Sequence, residues 1–575
     1  MEKIRIAMAQ INSTVGDFEG NLEKITEYIN KARRSHADVI IFPELAICGY
    51  PPEDLILRTS FIRQNRIYLE KVASEAQDIA VVVGFVEARN HIYNSAAFIY
   101  DSRVYGTYRK VFLPNYGVFD EKRYFSSGPE SPIFEFGNVS LGINICEDIW
   151  IPDGPAARQA VSGAGIILDI NASPYQLGKW KLRENMISTR AADNAVYICY
   201  VNCVGGQDEL IFEGGSLAFD PDGNMITRGK FFEEDYIVVD LDSKLPYRKR
   251  LHDLRITERL NFHREKEPVQ KVVVPVNLKT RFKKHPIIPE ITRKPLVAEE
   301  VYRAVMLGIK DYIYKNGFKK AVLGISGGID SALVASLACD ALGSENVTGI
   351  LMPTRFTSIE SKEDAIQLAA NLNFKLFEIP IDKIYQHYLD QLEPVFEGLP
   401  VDVTEQNIQA RIRGNLLMAF SNKFGALVLA TGNKSEFSVG YSTLYGDMAG
   451  AIAPIKDIPK LMVYELAKYR NTIKIIIPAR ILVKAPTAEL AEDQKDSDFL
   501  PPYDILDPIL AGLVEEDKNI EELVEDGFEE ATVRDVARML IASEYKRRQG
   551  PPGIKVTSRA FGRDRRFPIT NRFVE

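Results

Sequence analysis

Residues 319–332 read KKAVLGISGGIDSA, and this stretch decides the fold of the C-terminal half. The apolar run at 321–325 predicts a buried strand, and the apolar spacing that begins at Ala332 predicts a helix. Two adjacent glycines, Gly327 and Gly328, let the main chain approach a ligand closely, and the free N–H groups of a first helical turn attract anions. The sequence therefore predicts a strand, a tight turn and a helix, with a phosphate site at the turn.

The turn lacks the lysine of the Gly-Lys-Ser/Thr nucleotide loop and does not match G-x-G-x-x-G. Two glycines alone also fit a plain turn capped by serine and aspartate. The complete stretch SGGIDS resembles the pyrophosphate loop of the ATP pyrophosphatase superfamily, whose members adenylylate a carboxylate or carbonyl oxygen. That resemblance implies ATP phosphates on the loop and Mg²⁺ at Asp330. The residues it assigns to ATP are Gly324, Ile325, Ser326, Gly327, Gly328, Ile329, Asp330 and Ser331.

The composition fits a soluble protein with more than one core. The chain has 575 residues, 46% hydrophobic and 26% charged, so we expect two large α/β domains. No apolar run approaches the roughly 20 residues that cross a bilayer, and the start is too charged for a signal peptide. We expect no membrane partner and a cytoplasmic location. A net charge of −8 offers no general attraction to nucleic acid, and five cysteines without a CxxC pair argue against a disulfide framework.

Three apolar segments of the N-terminal half end at reactive side chains: Glu44 in FPEL, Lys110 in YRKVFLP and Cys146 in NICEDIW. Each residue alone fits packing or a solvated strand end. Together and in this order they resemble the catalytic set of the nitrilase, or carbon–nitrogen hydrolase, family, which has a four-layer αββα sandwich. The resemblance implies that Cys146 attacks an amide carbonyl and that Glu44 is the general base. Lys110 is expected to lower the pKa of the thiol and to stabilise the oxyanion, helped by a backbone N–H after the cysteine.

Glutaminase members of that family suggest further site residues. Glu121 matches an additional glutamate near the site, and Tyr116, Ser173 and Lys179 match positions that hold the amino-acid end of glutamine. Many members have arginine where this chain has Lys179, which keeps the charge but loses the bidentate fork. Ser173 also fits a turn before a proline. No histidine lies in these motifs and no His- or Cys-rich metal spacing is present, which disfavours a Ser–His–Asp mechanism and a zinc site.

The C-terminal half alternates strands with helices, which predicts a parallel sheet with ligands at the carboxyl ends of the strands. The resemblance to the ATP pyrophosphatases implies that this sheet is doubly wound and of the adenine nucleotide alpha hydrolase type. Residues 430–460, ATGNKSEFSVGYSTLYGDMAGAIAPIKDIPK, resemble the NAD synthetase family. Each polar residue there also fits a turn or an exposed helix position. The family's pattern implies ATP contacts at Thr431, Lys460 and Thr487. It implies deamido-NAD⁺ contacts at Asn407, Glu436, Asp447 and Lys546, and Mg²⁺ ligands at Asp330 and Glu436.

Three segments have less specific patterns. Residues 246–296 mix prolines with basic residues and predict a linker, which the VVVPV stretch places along a surface. Residues 488–503 fit a mobile loop over the site or a disordered surface loop. From 546 to 566 there are eight basic residues and one acidic one, a pattern typical of nucleic-acid binding, but glycines, prolines and aromatics interrupt it, so we favour dinucleotide phosphates and intersubunit contacts.

The resemblance covers nearly the whole chain and identifies it as a member of the glutamine-dependent NAD⁺ synthetases. It implies a glutaminase domain at 1–245, a linker at 246–296 and an amidating domain at 297–575. It also implies the substrates ATP, deamido-NAD⁺ and L-glutamine, a sheltered path for ammonia and a homo-oligomer. Three alternatives stay open: another ATP-dependent amidotransferase, a nitrilase with an inactive appendage, and a nucleic-acid binder. The acceptor segment at 430–460 and the intact SGGIDS loop argue against the first two.

Overall fold

The structure is a computed structural model that describes residues 3–129, 131–254, 258, 269–276, 285–492 and 494–573. The chain divides into two compact units. The first comprises Met1–Gln207 and Ile211–Pro295, and the second Asp208–Leu210 and Leu296–Glu575. Within the described ranges, no helix has the length and apolar character needed to cross a bilayer.

The first unit is built on two sheets, one of six strands in the order β14-β1-β2-β3-β4-β5 and one of seven in the order β13-β12-β9-β8-β7-β6-β15. Its strands are β1 Lys3–Gln10, β2 Val39–Ile41, β3 Ala80–Ala88, β4 Ile92–Tyr100, β5 Arg103–Arg109, β6 Ile133–Phe136, β7 Val139–Ile145, β8 Ile166–Asn171, β9 Tyr197–Asn202, β10 Val204–Gln207, β11 Leu210–Glu213, β12 Leu217–Phe219, β13 Met225–Arg228, β14 Asp235–Asp242 and β15 Lys271–Val274. Its helices are α1 Phe18–Arg34, α2 Thr59–Glu75, α3 Pro155–Val161, α4 Lys179–Asn194 and α5 Leu245–His252.

Side-chain alternation explains the layers of this unit. Along β8, Leu168 and Ile170 enter a core shared by strands of both sheets, whereas Ile167 enters a second core with residues of α3 and α4. A third core joins the six-stranded sheet to α1 and α2. The order is helix, sheet, sheet, helix, which confirms the predicted αββα sandwich.

The described parts of segment 246–296 contribute to this unit. β15 pairs in parallel with β6 at the edge of the seven-stranded sheet. The N–H of Arg228 donates to Glu290 O (3.2 Å), and the N–H of Thr292 donates to Arg228 O (3.0 Å). The parts of the expected linker at 255–257, 259–268 and 277–284 lie outside the described residues.

The second unit has four parallel strands in the order β18-β17-β16-β19, namely β16 Lys320–Gly324, β17 Val347–Leu351, β18 Lys375–Glu378 and β19 Ala426–Val428. Its helices are α6 Val297–Lys315, α7 Ile329–Leu342, α8 Ile359–Leu372, α9 Asp382–Phe396, α10 Val403–Phe424, α11 Lys434–Val439, α12 Lys460–Ile473, α13 Ala479–Val483, α14 Tyr503–Glu515, α15 Ile520–Glu525, α16 Glu530–Ala542 and α17 Glu544–Arg547. The strand order reverses between β16 and β19, and this is where an open α/β sheet forms a crevice. The predicted parallel sheet is confirmed.

Candidate active sites

In the first unit, the ammonium of Lys110 contacts the carboxylates of two other predicted site residues, Glu44 and Glu121. Its Nζ lies 2.8 Å from Glu44 Oε1 and 2.8 Å from Glu121 Oε1. All three side chains, and that of Cys146, are buried. Lys110 directly follows β5 and Cys146 directly follows β7, so the ends of strands from both sheets supply the site. The structure therefore brings together the residues that the motifs singled out.

Each carboxylate has further donors that the sequence did not reveal. Asn94 Nδ2 donates to Glu44 Oε1 (2.7 Å), the N–H of Ala172 donates to Glu44 Oε2 (2.9 Å), and Tyr50 Oη donates to Glu121 Oε1 (2.9 Å). The loop of Glu44 also needs a glycine beside it. A Cβ on Gly84 would lie 2.2 Å from Leu45 N, so only glycine permits this approach.

Cys146 occupies a strained turn. Its φ of 49° lies in the left-handed region, which is unfavourable for a residue with a Cβ. Asp148 stabilises this turn, because its Oδ1 accepts from the N–H of Phe112 (2.8 Å) and its Oδ2 accepts from Tyr108 Oη (2.6 Å) and the N–H of Ile145 (3.3 Å). One buried carboxylate thus ties the cysteine turn to the chain beyond Lys110. Burial raises the pKa of Asp148 to about 6.

The thiol pKa of Cys146 depends on more groups than the motifs indicated. Lys110 does lower the pKa of Cys146, but burial and the negative charge of Glu44 outweigh it and raise that pKa well above the ordinary value. The sequence showed the cation but neither the burial nor the carboxylates around it. For Lys110, burial alone would lower the pKa, yet Glu121 and Glu44 raise it well above its usual range. Lys110 is therefore charged, and the resting thiol is protonated.

The three residues expected to hold glutamine differ in exposure. Tyr116 is 59% exposed and its Oη donates to Glu147 Oε2 (2.8 Å), next to Cys146. Ser173 is buried, and its Oγ accepts from Arg183 Nη2 (3.0 Å). Lys179 is the first residue of α4, and its Nζ lies 3.5 Å from Pro174 O. Arg183 was not singled out in the sequence, because a lone arginine in a helix has no motif.

In the second unit, the SGGIDS loop lies between β16 and α7 as predicted. The φ of Gly327 is 81°, and a Cβ there would lie 2.2 Å from Ser361 O, so both conformation and space require glycine. Ser326 Oγ accepts from the N–H of Gly328 (3.2 Å) and lies 3.2 Å from Ser331 Oγ. These contacts fix the turn that precedes the helix.

Lys460 joins two predicted carboxylates. Its Nζ lies 2.6 Å from Asp330 Oδ2 and 3.2 Å from Glu436 Oε1, and it is 2% exposed, which excludes the alternative of a solvated helix start. Asn433 Nδ2 donates to Asp330 Oδ1 (2.8 Å), and Asn433 Oδ1 accepts from the N–H of Glu436 (3.0 Å). Asn433, which the sequence suggested only as a turn residue, therefore links the glycine loop to α11.

A cavity of about 400 Å³ is lined by every residue predicted to bind ATP and deamido-NAD⁺. Its lining also includes Arg413, Tyr464 and Lys484, which the sequence did not single out. Two of the predicted dinucleotide residues share a partner, since Thr443 Oγ1 donates to Asn407 Oδ1 (2.6 Å) and its N–H donates to Asp447 Oδ1 (2.6 Å). The predicted residues that line the cavity are Gly324, Ile325, Ser326, Gly327, Gly328, Ile329, Asp330, Ser331, Asn407, Thr431, Glu436, Asp447, Lys460, Thr487 and Lys546.

Part of segment 488–503 forms one wall of this cavity. Ala488, Glu489, Leu490, Gln494 and Asp496 line it. Glu489 Oε1 lies 2.8 Å from Lys484 Nζ and accepts from Ser361 Oγ (2.7 Å). This segment therefore belongs to the site, while its mobility stays a prediction.

The carboxylates of the cavity fit a magnesium ion that is also bound by phosphate. Across the described ranges, no three His, Cys, Asp or Glu side chains converge as a metal cluster. Asp330 and Glu436, however, already converge on one cation, the Lys460 ammonium. Mg²⁺ uses one or two carboxylates together with substrate phosphates and water. Burial raises the pKa of Glu436. The charge of Asp330 raises that pKa further, and the charge of Lys460 lowers it. A further cation would therefore favour the ionised form of Glu436.

Several basic groups of the C-terminal tail have partners inside the second unit. Lys546 Nζ donates to Gly440 O (2.8 Å) and Ser442 O (2.9 Å), and Arg547 pairs with Glu544 (2.8 Å). Lys555 pairs with Asp564 (2.5 Å). These basic side chains, which favoured the nucleic-acid hypothesis, therefore contact groups of the protein itself.

Comparison with known proteins identifies the same two domain families. The carbon–nitrogen hydrolase family model matches residues 5–249, and the NAD synthase family model matches residues 301–550. A glutamine-dependent NAD(+) synthetase of Thermotoga maritima is 49% identical over 580 residues, which cover 100% of both chains. One of Aquifex aeolicus is 47% identical over 573 residues, which cover 99% of this chain and 100% of the relative. The chain belongs to the family of glutamine-dependent NAD⁺ synthetases.

Solved structures of this family agree with the architecture. The glutamine-dependent NAD⁺ synthetase from Acinetobacter baumannii, in complex with ADP, is 38% identical, has a TM-score of 0.74 and aligns over 99% of each chain. That from Cytophaga hutchinsonii has a TM-score of 0.79 over 99% of this chain and 98% of its own, and at 22% identity it shows the fold alone. The family predicted from the motifs is confirmed.

Proposed function

We propose that this protein is a glutamine-hydrolysing NAD⁺ synthetase. It converts ATP, deamido-NAD⁺, L-glutamine and water to AMP, pyrophosphate, NAD⁺ and L-glutamate. The observation that carries the proposal is the presence of two complete sites in one chain. One is the buried set Glu44, Lys110 and Cys146, and the other is the cavity that holds the SGGIDS loop and Lys460. The full-length similarity to synthetases of this name supports it.

At the first site, the thiol of Cys146 attacks the side-chain carbonyl carbon of glutamine while its proton passes to Glu44. Because the resting thiol is protonated, the base is needed at the moment of attack. The Lys110 ammonium and a backbone N–H after the cysteine stabilise the oxyanion. Glu44 returns the proton to the departing ammonia, leaving a thioester. Water, deprotonated by Glu44, then attacks the thioester, and glutamate leaves as the thiol is restored. Tyr116, Ser173 and Lys179 hold the amino-acid end.

At the second site, the SGGIDS loop, Thr431, Lys460 and Thr487 bind ATP. Asn407, Glu436, Asp447 and Lys546 bind deamido-NAD⁺. The nicotinate carboxylate attacks the α-phosphorus of ATP and pyrophosphate leaves. Lys460 offsets the charge of the leaving group, and ammonia then displaces AMP to form the carboxamide. Asp330 and Glu436 would hold Mg²⁺, which neutralises negative charge on the phosphates when bound.

The two reactions imply a protected route for ammonia. In water at neutral pH most ammonia becomes ammonium, which is not a nucleophile, so a sheltered passage and a homo-oligomeric assembly are part of the proposal. We assign residues 1–245 to the glutaminase, 246–296 to the linker and 297–575 to the amidating domain. The family matches at 5–249 and 301–550 support a division into these two catalytic domains. We place the enzyme in the cytoplasm, as expected from its sequence.

The test is Cys146→Ala assayed with deamido-NAD⁺, ATP and Mg²⁺ and two nitrogen sources. We expect glutamine-supported NAD⁺ formation to disappear and ammonia-supported formation to persist. Cys199→Ala, which removes another buried thiol of the first unit, is the matched control and should keep both activities. Loss of both activities in the folded Cys146 variant would contradict separate sites. Retention of both would remove Cys146 as the nucleophile.

A further inference from the structure

The short helix α11 brings Glu436 to the cavity of the second unit. It has only six residues, so its orientation depends on tertiary contacts more than on its own hydrogen bonds. Its N-cap, Asn433, donates to Asp330 Oδ1 (2.8 Å), and Glu436 Oε1 lies 3.2 Å from Lys460 Nζ. The position of the turn at 433–436 therefore determines how the two carboxylates of the cavity lie relative to each other.

Lys434, the first residue of α11, has its donors inside the protein. It is 4% exposed, and its Nζ donates to Glu515 Oε1 (2.8 Å), Thr557 Oγ1 (2.6 Å) and Arg559 O (3.0 Å), with Asp457 Oδ1 3.1 Å away. An ammonium has three protons, so none is left for a substrate, and Lys434 is not part of the cavity lining. This cation can therefore affect the reaction only through the residues that it holds.

Asp457 and Thr557 connect Lys434 to the C-terminal segment. Thr557 Oγ1 donates to Asp457 Oδ1 (2.9 Å), and the N–H groups of Val556 and Thr557 donate to Asp457 Oδ2 (2.8 and 2.7 Å). Asp457 lies three residues before Lys460 in the chain. The C-terminal segment is thus joined to the stretch 430–460 at two places, Lys434 and Asp457.

Ser435, the next residue of α11, links the same turn to Lys460. Its Oγ accepts from the N–H of Lys460 (2.9 Å) and contacts Asp507 Oδ1, while Asp507 Oδ2 accepts from the N–H of Leu461 (2.9 Å). A displacement of α11 would therefore also disturb the first turn of α12, which carries Lys460 to the carboxylates.

None of the residues 551–573 lines the cavity, although they follow Lys546, which does. An ion pair buried in protein adds little net stability, because desolvation offsets the attraction, but its hydrogen bonds have fixed directions. We propose that Lys434 is a positioning residue that fixes the turn at 433–436 on the C-terminal segment, so that Thr557 and its neighbours set the geometry of adenylylation from outside the cavity. This inference rests on the proposed function and adds residues that act through Glu436 and Asp330.

The experiment measures ammonia-supported NAD⁺ formation by a matched pair, Thr557→Val and Thr557→Ser. Valine has the shape of threonine without the hydroxyl, and serine keeps the hydroxyl. We expect Thr557→Val to lower kcat about 10- to 100-fold, the scale for a catalytic group displaced by up to about 1 Å. KM for ATP and for deamido-NAD⁺ should stay within about threefold, because the SGGIDS loop keeps its conformation. Thr557→Ser should retain kcat, and Lys434→Met should lower it at least as much as Thr557→Val.

Arg470→Met controls for the loss of a buried cation as such. Arg470 is 7% exposed and pairs with Asp340 (2.6 Å) near the end of α12. Removing one partner of a buried ion pair destabilises a protein because the other charge stays unpaired. Arg470→Met should therefore lower the midpoint of urea unfolding, followed by far-UV circular dichroism, as Lys434→Met does, yet keep kcat within about twofold.

Amide hydrogen exchange provides a readout that does not depend on activity. Exchange at residues 434–439 should be faster in Thr557→Val and Lys434→Met than in the unaltered protein, because α11 has lost its support. It should be unchanged in Arg470→Met and Thr557→Ser. If Lys434→Met does not fold, the Thr557 pair carries the test with the same expectations.

The outcomes distinguish this inference from the proposed function. If the unaltered enzyme forms no NAD⁺ from ammonia, ATP and deamido-NAD⁺, the proposed function itself is overturned. If it does, and Thr557→Val and Lys434→Met keep both kcat and the exchange rate of α11, only the inference is overturned. A loss of kcat in Arg470→Met equal to that in Lys434→Met, or in Thr557→Ser equal to that in Thr557→Val, would also overturn it.

Discussion

The ammonium of Lys460 lies 2.6 Å from Asp330 Oδ2, although 130 residues separate them in the chain. The same ammonium is 3.2 Å from Glu436 Oε1. The glycine loop, α11 and α12 thus bring two carboxylates and one cation to a single point of the cavity. Because each charge affects the ionisation of the others, removing one changes the affinity of this point for cations and phosphates.

Asp330→Asn should abolish NAD⁺ formation with either nitrogen source while glutamine hydrolysis continues. The amide cannot supply the anionic oxygen that a phosphate-bound Mg²⁺ requires, so adenylylation is expected to fall at least 100-fold, the scale of losing one electrostatic contact in a transition state. Pyrophosphate release measures this step directly. Asp504→Asn, at an exposed position of α14, is the control. Unchanged synthesis in the Asp330 variant would refute the proposed magnesium ligand.

The thiol of Cys146 should react slowly at neutral pH. Its pKa is raised, so the thiolate fraction is small at pH 7 and grows with pH without levelling off below 9, the ordinary thiol value. Stopped-flow reaction with methyl methanethiosulfonate between pH 6 and 10 measures this dependence, with Cys146→Ala as the background for the other thiols. A plateau near neutral pH would instead indicate the lysine-stabilised thiolate that the motif suggested.

Lys110→Met should destabilise the first unit. The change leaves Glu44 and Glu121 buried without their cation, a loss of about 3–5 kcal/mol of unfolding free energy. Lys110 opposes the burial that raises the pKa of Glu121, so without the ammonium that pKa rises further, and stability is retained at low pH and lost as pH increases. The deficit should be larger at pH 8 than at pH 5 in urea unfolding followed by tryptophan fluorescence. Lys122→Met, at an exposed neighbouring position, should have little effect, and a pH-independent deficit would contradict the electrostatic cause.

The sequence predicted those site residues that lie within consecutive motifs. Glu44, Lys110 and Cys146 each follow an apolar run, and strand ends are where a sheet presents side chains to a ligand. Their roles, and those of the cavity residues, stay predictions that the experiments above test. The four-layer sandwich was predicted from the resemblance that these motifs carry, and the parallel sheet from the alternation of strands with helices.

What the sequence could not predict depends on tertiary contacts. No sequence pattern assigns partners to Asp148, Asn94 and Arg183, and only the folded chain shows which groups they contact. The net pKa shift of Cys146 was not predictable for the same reason. Burial opposes the lysine, and burial depends on the packing of two sheets that share no local motif.

Lys484 provides the last prediction, because it is a cavity cation that no motif marked. Its Nζ is 2.8 Å from Glu489 Oε1 and also contacts Ser361 Oγ, in the helix whose first turn packs on Gly327. Lys484→Met would leave the Glu489 carboxylate unpaired in the cavity proposed to take a triphosphate. Like charges then repel, so KM for ATP in ammonia-supported synthesis should rise about tenfold, equivalent to about 1.4 kcal/mol. Glutamine hydrolysis should not change.

Glu489→Gln distinguishes two explanations for a higher KM for ATP in Lys484→Met. One is repulsion between Glu489 and the phosphates, and the other is loss of a direct contact between Lys484 and a phosphate. If repulsion is the cause, the Lys484→Met and Glu489→Gln double variant should recover most of the ATP affinity, because the uncompensated charge is gone. If Lys484 binds phosphate directly, the double variant stays as weak as Lys484→Met. Lys468→Met, an exposed cation of α12 with 58% of its side chain accessible, controls for the loss of overall charge. An unchanged KM for ATP in Lys484→Met would show that this cation contributes to neither effect.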